Sequence, residues 1–389
     1  MIRKKLYLLV LFILICSTAF AQGSIQDVIE EVLDAQSING EEGTTFSTLA
    51  ETLMELSVSK INVNYADDKT LARIPFLNAV QIKNLIKYRK RHEEITNIYE
   101  LQLVEGFNEK TIRWLMPFVT FEFKEEKPNL KRLWWNHELM GRTKTVLQPQ
   151  KGYQEKDSTH YLGKPYQYYL RYIVSNKWGE AGITAENDPG EPFFTGKNKS
   201  GFDYYSAHVF LQNIGIIRKL NIGDYNLRFG QGLNLWNGFS LGKSLSPNVG
   251  KKYGNGISPY RSINENNFFR GIATELAYNN FTLNLFYSHH KLDATAISVI
   301  DSLNNEEALI SSIHGTGYHR TLREFEKKHN LTEQLLGANL KYNANRLTLG
   351  ATAYQVNYDR SIEPANTLSN QFAFRGDYGF IKGLDFAYV

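Results

Sequence analysis

The chain has 389 residues, 44 of them basic and 40 acidic, for a formal charge of +4, and one cysteine. A single cysteine excludes a disulfide framework and any multi-cysteine zinc or iron–sulfur site. Only the N-terminus holds a long apolar run, which excludes a protein of many membrane helices, each needing roughly 18 apolar residues. A mean hydropathy of −0.38 does not exclude a transmembrane β-barrel, whose alternating strands average as water-soluble.

Residues 1–21 read as a secretory signal peptide. Arg3, Lys4 and Lys5 form a basic start, Leu6 to Ile15 an apolar core, and Ala19-Phe20-Ala21 a cleavage site. Cleavage removes those three cations and Cys16, so the mature chain carries 41 basic and 40 acidic residues and no thiol. The basic character therefore belongs to the export signal, and support for a globally basic nucleic-acid binder goes with it.

Residues 22–60 form a helical N-terminal segment. Ile25, Val28, Ile29 and Val32 recur at helical spacing over 24–37, and Leu49, Leu53 and Leu56 share a face over 46–57. Residues 61–122 then divide into two related halves, each a helix, a tight turn and a second helix. In the first, Asp67–Arg73 leads through Ile74-Pro75-Phe76-Leu77-Asn78 into a helix over Ala79–Arg91. In the second, Tyr99–Leu103 leads through Val104-Glu105-Gly106-Phe107-Asn108 into a helix over Glu109–Met116, ended by Pro117.

This segment resembles the tandem helix-hairpin-helix domain of ComEA-type competence DNA receptors. The resemblance rests on the Asn62-Val63-Asn64 entry, the Tyr88-Arg89 helix end, the Tyr99-Glu100-Leu101 helix start and the Pro117-Phe118-Val119-Thr120 exit. It implies hairpin turns whose backbone N–H groups meet DNA phosphates at the N-terminus of the following helix. That family carries Gly-x-Gly in each turn. Here Phe76 and Asn78 occupy those places in the first hairpin, and Gly106 and Asn108 in the second. Asn tolerates left-handed geometry, whereas Phe76 would crowd a phosphate. The candidate phosphate-binding residues are Asn78, Lys83, Lys87, Gly106, Asn108, Lys110 and Arg113. Arg89, Lys90 and Arg91 add to the basic helix, yet residues 61–120 hold nine basic against seven acidic residues. A solvated helix face, phosphate binding and a protein contact all remain open.

From residue 130 the period changes to two, as in half-buried strands. Tyr168, Leu170, Tyr172 and Val174 alternate with Tyr169, Arg171 and Ile173, and the same pattern recurs at 204–212, 281–285, 336–342 and 347–352. This stretch holds 38 of the 51 aromatic residues, with Trp134, Trp135, Trp178 and Trp236 near expected strand ends. Strands are expected near 133–147, 166–175, 178–187, 204–212, 216–236, 268–278, 281–290, 335–342, 346–358, 371–380 and 383–389. Short turns at 176–177, 213–215, 279–280, 343–345 and 381–383 alternate with long polar connections. Such asymmetry suits an outer-membrane barrel, with short turns and the helical module on the periplasmic side. Eleven strands is an odd number, which reads as a fragment of a longer barrel or as a count off by one.

Chemical sites are sparse. Gly238–Ser244 lacks the first glycine of a phosphate loop. His289, His290, His314 and His319 read as solvated loop histidines, and Ser206 with His208 forms no nucleophile–base motif. Thr321–Leu335 reads as an amphipathic helix. Arg218, Arg228, Arg270, Arg346 and Arg375 are expected at the lumen or rim. No catalytic residue, metal ligand or cofactor is expected.

The fold class that follows is an α+β multidomain chain. A small all-α helix-hairpin-helix domain over 61–122 precedes an antiparallel transmembrane β-barrel over 130–389. The expected partners are outer-membrane lipid, with DNA or an envelope protein as candidates for the helical module. The sequence leaves two functions open, gripping DNA backbone during uptake, or docking a protein in an envelope structural or secretion role.

Overall fold

The computed structural model describes residues 28, 29, 31, 32, 49, 53, 56, 57, 60–66, 68–92, 94–121, 135–148, 150–154, 159–176, 178–237, 254–300, 306–344 and 347–388. The signal peptide, Trp134, Arg346 and the Gly238–Ser244 segment lie outside them. The chain divides into two compact units, Met1–Glu125 and Glu126–Val389.

The first unit is helical around an aliphatic core. Its elements are β1 (Ile61–Asn62), α1 (Asp68–Leu71), α2 (Ala79–His92), a 3-10 helix (Ile98–Leu103), α3 (Glu109–Leu115) and β2 (Val119–Thr120). Leu71, Ile74, Leu85, Ile95, Leu101, Leu115 and Phe118 are fully buried. The short strands β1 and β2 pair in parallel, Ile61 with Val119 and Asn62 with Thr120, so the entry and exit of the module are stitched together. Asn64 is buried beside them and bonds like backbone: its Nδ2 donates to Ile95 O at 2.9 Å and its Oδ1 accepts from Ile95 N at 2.8 Å.

The second unit is a 13-stranded mixed sheet. Its long strands are β3 (Asn136–Thr145), β4 (Tyr166–Asn176), β5 (Gly179–Asn187), β6 (Tyr204–Ile214) and β7 (Ile217–Arg228), then β9 (Phe269–Tyr278), β10 (Phe281–Leu292), β13 (Leu331–Asn343), β14 (Leu347–Ile362) and β15 (Gly376–Tyr388). These ten pair antiparallel in chain order. The short strands β8 (Gly256–Pro259), β11 (Ala294–Ile300) and β12 (Glu306–Ile313) sit within the long connections, with α4 (Leu322–Phe325). One parallel bridge, Ile310 to Ile362, ties β12 to β14 and makes the sheet mixed.

The expected antiparallel barrel is corrected to a mixed sheet in which no closure is detected among the described residues. Among the described residues β3 pairs only with β4, and β15 only with β14. The strand count is corrected too. Residues 381–383 do not turn: β15 runs unbroken from Gly376 to Tyr388, so the two strands expected at 371–380 and 383–389 are one. Gly383 serves close approach rather than chain reversal. A Cβ there would lie 1.7 Å from Asn234 Nδ2, which reaches the sheet from another segment. The alternation of tight and long connections does hold, with two-residue turns at Gly215-Ile216 and Asn279-Asn280.

Nor is 216–236 one bulged strand. β7 ends at Arg228, and Gly230 and Gly232 take φ of 56° and 79°, folding the chain back. Asn237 fastens the return, its N–H donating to Leu227 O and its Oδ1 accepting from Leu227 N. Trp236 bridges to Arg228, the last residue of β7, and so stands beside a strand end. The Phe229–Asn237 hairpin and β8 cover the inner face of the sheet. Phe229, Leu235 and Ile257 pack there with Tyr225, Leu227, Ala273, Phe286 and Leu335.

Along each strand the two faces differ sharply. On β6, Tyr204, Ser206, His208 and Phe210 are buried while Tyr205, Ala207 and Val209 are exposed; β10 buries Asn284, Phe286, Ser288 and His290 and exposes Leu285 and Tyr287. Two buried carboxylates, Glu180 and Asp224, are paired with arginines. Arg261 donates to both Glu180 oxygens, which also meet His208 Nε2 at 2.8 Å, and Arg270 forks onto Asp224 at 2.6 and 2.8 Å. Of the strand arginines, Arg228 is buried and bonded to Asn237 O, while Arg218 and Arg375 are exposed at element ends.

The amphipathic helix expected at 321–335 is also corrected. Only Leu322–Phe325 is helical, opened by a Thr321–Glu324 capping box. His329 takes a left-handed φ of 57°, and Leu331 already begins β13.

The two faces predict different responses to truncation. Phe286→Ala empties a packed site against Phe229 and should cost about 3–5 kcal/mol. Leu285→Ala, on the exposed face, should cost well under half of that in denaturant unfolding of the refolded chain. Equal costs would contradict the assignment of faces.

Candidate functional site

Each second helix of the module begins at an asparagine cap. Asn78 Oδ1 accepts from Gln81 N at 2.8 Å while Gln81 Oε1 accepts from Asn78 N at 3.0 Å, a reciprocal box that opens α2. Asn108 Oδ1 accepts from Thr111 N at 2.8 Å and from Thr111 Oγ1 at 2.9 Å, opening α3. Both side chains satisfy amides at a helix start. Sequence reading assigned these two residues to phosphate; their visible role is to cap.

The two hairpins are locked by α2. Gln81 Nε2 donates to Gly106 O at 2.8 Å, and Asn84 Nδ2 to Glu105 O at 3.0 Å. Gly106 has φ of 90°, a region open to glycine. No described residue of the first turn takes a positive φ. That turn closes with Phe76 turned onto Trp114 and Phe118, at ring distances of 5.6 and 5.9 Å. The phenyl ring expected to crowd a phosphate is instead part of the packing between the hairpins.

The basic residues fall into two groups. Lys83, Lys87 and Lys90 are exposed on α2 at spacings of four and three, so they line one ridge. Arg89 turns inward and braces the entry, donating to Val63 O at 2.7 Å and Ala66 O at 2.8 Å. On α3, Arg113 pairs with Glu31 at 2.5 Å, and Lys110 lies 4.7 Å from the Trp114 ring centre. Glu105 and Glu109 are exposed at the start of α3 and oppose an anion there. The geometry thus separates the seven candidates. Asn78 caps α2, Lys83 and Lys87 share the exposed ridge, Gly106 and Asn108 form the second turn, and Lys110 and Arg113 are engaged locally.

The residues that carry the resemblance are mainly structural. Glu100 accepts from Thr96 N and Oγ1, both at 2.9 Å, and from Tyr88 OH at 3.3 Å, with Asn97 capping the 3-10 helix.

Sequence reasoning missed a second grouping, in the long connections of the sheet. His319 was expected in solvent; its side chain is only 2% exposed, with Nδ1 2.5 Å from Asp203 Oδ2 and Nε2 2.9 Å from Asp293 Oδ2. His290 is also buried, against Phe268, while His289 is exposed and His314 Nε2 meets Thr295 Oγ1 at 2.7 Å. Burial opposes charge on His319, but its bonds to Asp203 and Asp293 outweigh it and hold the imidazole up at about 9. The same bonds outweigh burial to hold Asp203 and Asp293 below the usual carboxylate range. Burial, reinforced by the Asp203 charge, pushes Glu191 up to about 8, and burial with the Glu191 and Asp203 charges pushes Glu265 well up. Lys328, on Asp203, completes the charged surroundings, and the His329 backbone N–H donates to Asp293. No sequence spacing links these residues, since they arrive from four separate segments.

Two predictions follow from these geometries. Gly106→Ala has room for its methyl group, 3.5 Å from Gln81 Cγ, so its cost is the left-handed backbone alone, about 1–2 kcal/mol. Gly106→Asn should cost less; hydrogen exchange of the α2 and α3 amides would read both. A raised imidazole pKa adds stability that is complete below the unfolded value of 6.5 and is lost as pH rises through about 9. In chelator-treated protein, the thermal-stability advantage of wild type over His319→Gln should shrink across that interval. A pH-independent advantage would contradict the ion-pair origin.

Comparison with known proteins bears on the first of these groupings. The family model described as a helix-hairpin-helix motif matches residues 57–120. No curated protein and no solved structure matches the chain. The chain carries a helix-hairpin-helix motif over residues 57–120, followed by a large β-rich unit.

Proposed function

We propose that the β-rich unit is an outer-membrane anchor and that the helix-hairpin-helix module, held on its periplasmic side, grips DNA backbone. The reading involves no catalysis. One observation carries the membrane part. Across the paired strands β6, β7, β9, β10, β13, β14 and β15, one register row reads Val209, Ile222, Ile272, Tyr287, Leu336, Gln355 and Phe380. Its six apolar members are each between 40% and 59% exposed. A belt this continuous is rare on a water-facing surface and marks an interaction with lipid or protein. Strands of 9–16 residues are long enough to cross a bilayer core when tilted. The inner face, packed by the Phe229–Asn237 hairpin and with Arg228 and Arg261 bonded inside it, suits an anchor better than an open conduit.

The DNA part rests on the exposed Lys83, Lys87 and Lys90 ridge together with the motif match. The likeness to ComEA-type receptors over 61–122 belongs to this proposal and gives it a role in DNA uptake. A second reading has its own support. Tyr99 and Leu103 are 67% and 71% exposed on the 3-10 helix, an apolar pair that a docked envelope protein would cover.

Two measurements test the halves separately. Leu340→Arg, on the exposed face, should weaken folding into lipid vesicles by about 2–4 kcal/mol; a change within about 0.5 kcal/mol would indicate a water-facing site. With the full chain in lipid nanodiscs, duplex DNA affinity should fall steeply between about 50 and 200 mM salt. Lys83→Glu with Lys87→Glu should lower it further. No affinity for duplex DNA at low salt would end the DNA reading and leave protein docking.

A further inference from the structure

The His319 grouping belongs to the connections of the second unit and not to the exposed register row, and neither proposal uses it. Glu191 and Asp203 come from the β5–β6 connection, Glu265 from the β8–β9 connection, Asp293 from the residue between β10 and β11, and His319 from the segment before α4. Ligand-type atoms of Glu191, Asp203 and His319 lie within 4.8 Å of one another, and so do those of Glu265, Asp293 and His319. Four carboxylates thus surround one imidazole.

Their remaining hydrogen bonds distinguish them. Asp203 has Lys328 Nζ at 2.8 Å, Glu191 accepts from Asp188 N and His319 N, both at 2.8 Å, and Asp293 accepts from His329 N at 2.9 Å. Glu265 accepts no hydrogen bond among the described residues. Its side chain is 12% exposed, and its nearest ionic neighbour, His319 Nδ1, is 4.0 Å away, beyond hydrogen-bond reach. Gly317 makes room for it: a Cβ at that position would lie 2.9 Å from Glu265 Cβ, Cγ and Cδ. A nearly buried carboxylate held in place, aimed at an imidazole and left without a donor needs another partner.

We propose that this grouping is a divalent metal site, with Glu265, Asp293 and one ring nitrogen of His319 as ligands. Asp203, fixed by Lys328, orients the imidazole as carboxylates commonly do beside a ligating histidine. One nitrogen with carboxylate oxygens suits Zn²⁺ or Mn²⁺, whereas Ca²⁺ takes an all-oxygen shell. A bound ion would tie together four connections at one end of the sheet.

The test uses the full chain refolded in detergent and stripped with chelator. Zn²⁺ or Mn²⁺ should raise its melting temperature and bind with measurable heat. Glu265→Gln breaks no hydrogen bond of the grouping, so it should melt like wild type without metal and bind the ion about ten-fold or more weakly. Asp293→Asn should also weaken binding. If neither ion binds wild type, or Glu265→Gln binds as tightly, the site is refuted; stabilisation by Ca²⁺ alone would refute the ligand set. Co²⁺ added to wild type gives a readout independent of any variant, since coordination by histidine produces visible absorption bands and their absence counts against the site.

Discussion

A sheet with one apolar face and one mixed face must cover the mixed face, and in this protein the covering comes from the chain itself. The Phe229–Asn237 hairpin and β8 bring Phe229, Leu235 and Ile257 onto residues of β7, β9, β10 and β13. Buried aromatic and aliphatic side chains there leave the other face free to be apolar and exposed. Everything else in the second unit depends on that division. Two of the carboxylates that remain inside, Glu180 and Asp224, are matched at close range by Arg261 and Arg270, because an unpaired buried charge is costly.

The helical module follows a different economy of contacts. Its core is small, so polar side chains stand in for backbone: Asn64 completes a strand-like pair, Arg89 braces the entry, and Gln81 both caps α2 and holds the Gly106 turn. This explains why the helix-hairpin-helix motif survives while its turns depart from Gly-x-Gly. The shared residues preserve a scaffold. The proposed DNA contact rests instead on the exposed lysine ridge, outside the hydrogen bonds that hold that scaffold.

Much of this was legible in the sequence wherever a period was long enough to read. Alternation over 166–175 or 281–290 yielded strands nearly to the residue, and the doubled helix–turn–helix pattern yielded the module. Glycine was the main source of error, because its two uses look alike in one dimension. Gly230 and Gly232 do reverse the chain, whereas Gly383 sits in an extended strand to admit Asn234. Thr321–Leu335 misled for another reason, since its apolar spacing fits a helix while Leu331 and Leu335 are buried as alternate residues of β13. The His319 grouping could not be read at all. Its members are scattered from Glu191 to His319, and only the folded connections bring them together.

The meeting of Asn234 with Gly383 has a consequence in time as well as in space. These residues are separated by nearly 150 positions, and Asp385 on the same strand lies over Gly230 of the hairpin and Gly350 of β14. β15 thus docks against a surface that exists only after the hairpin has folded back. Contacts this distant in sequence form slowly, whereas the pairing of β15 with its chain neighbour β14 is local. The two attachments of this one strand therefore differ in the length of chain each must close.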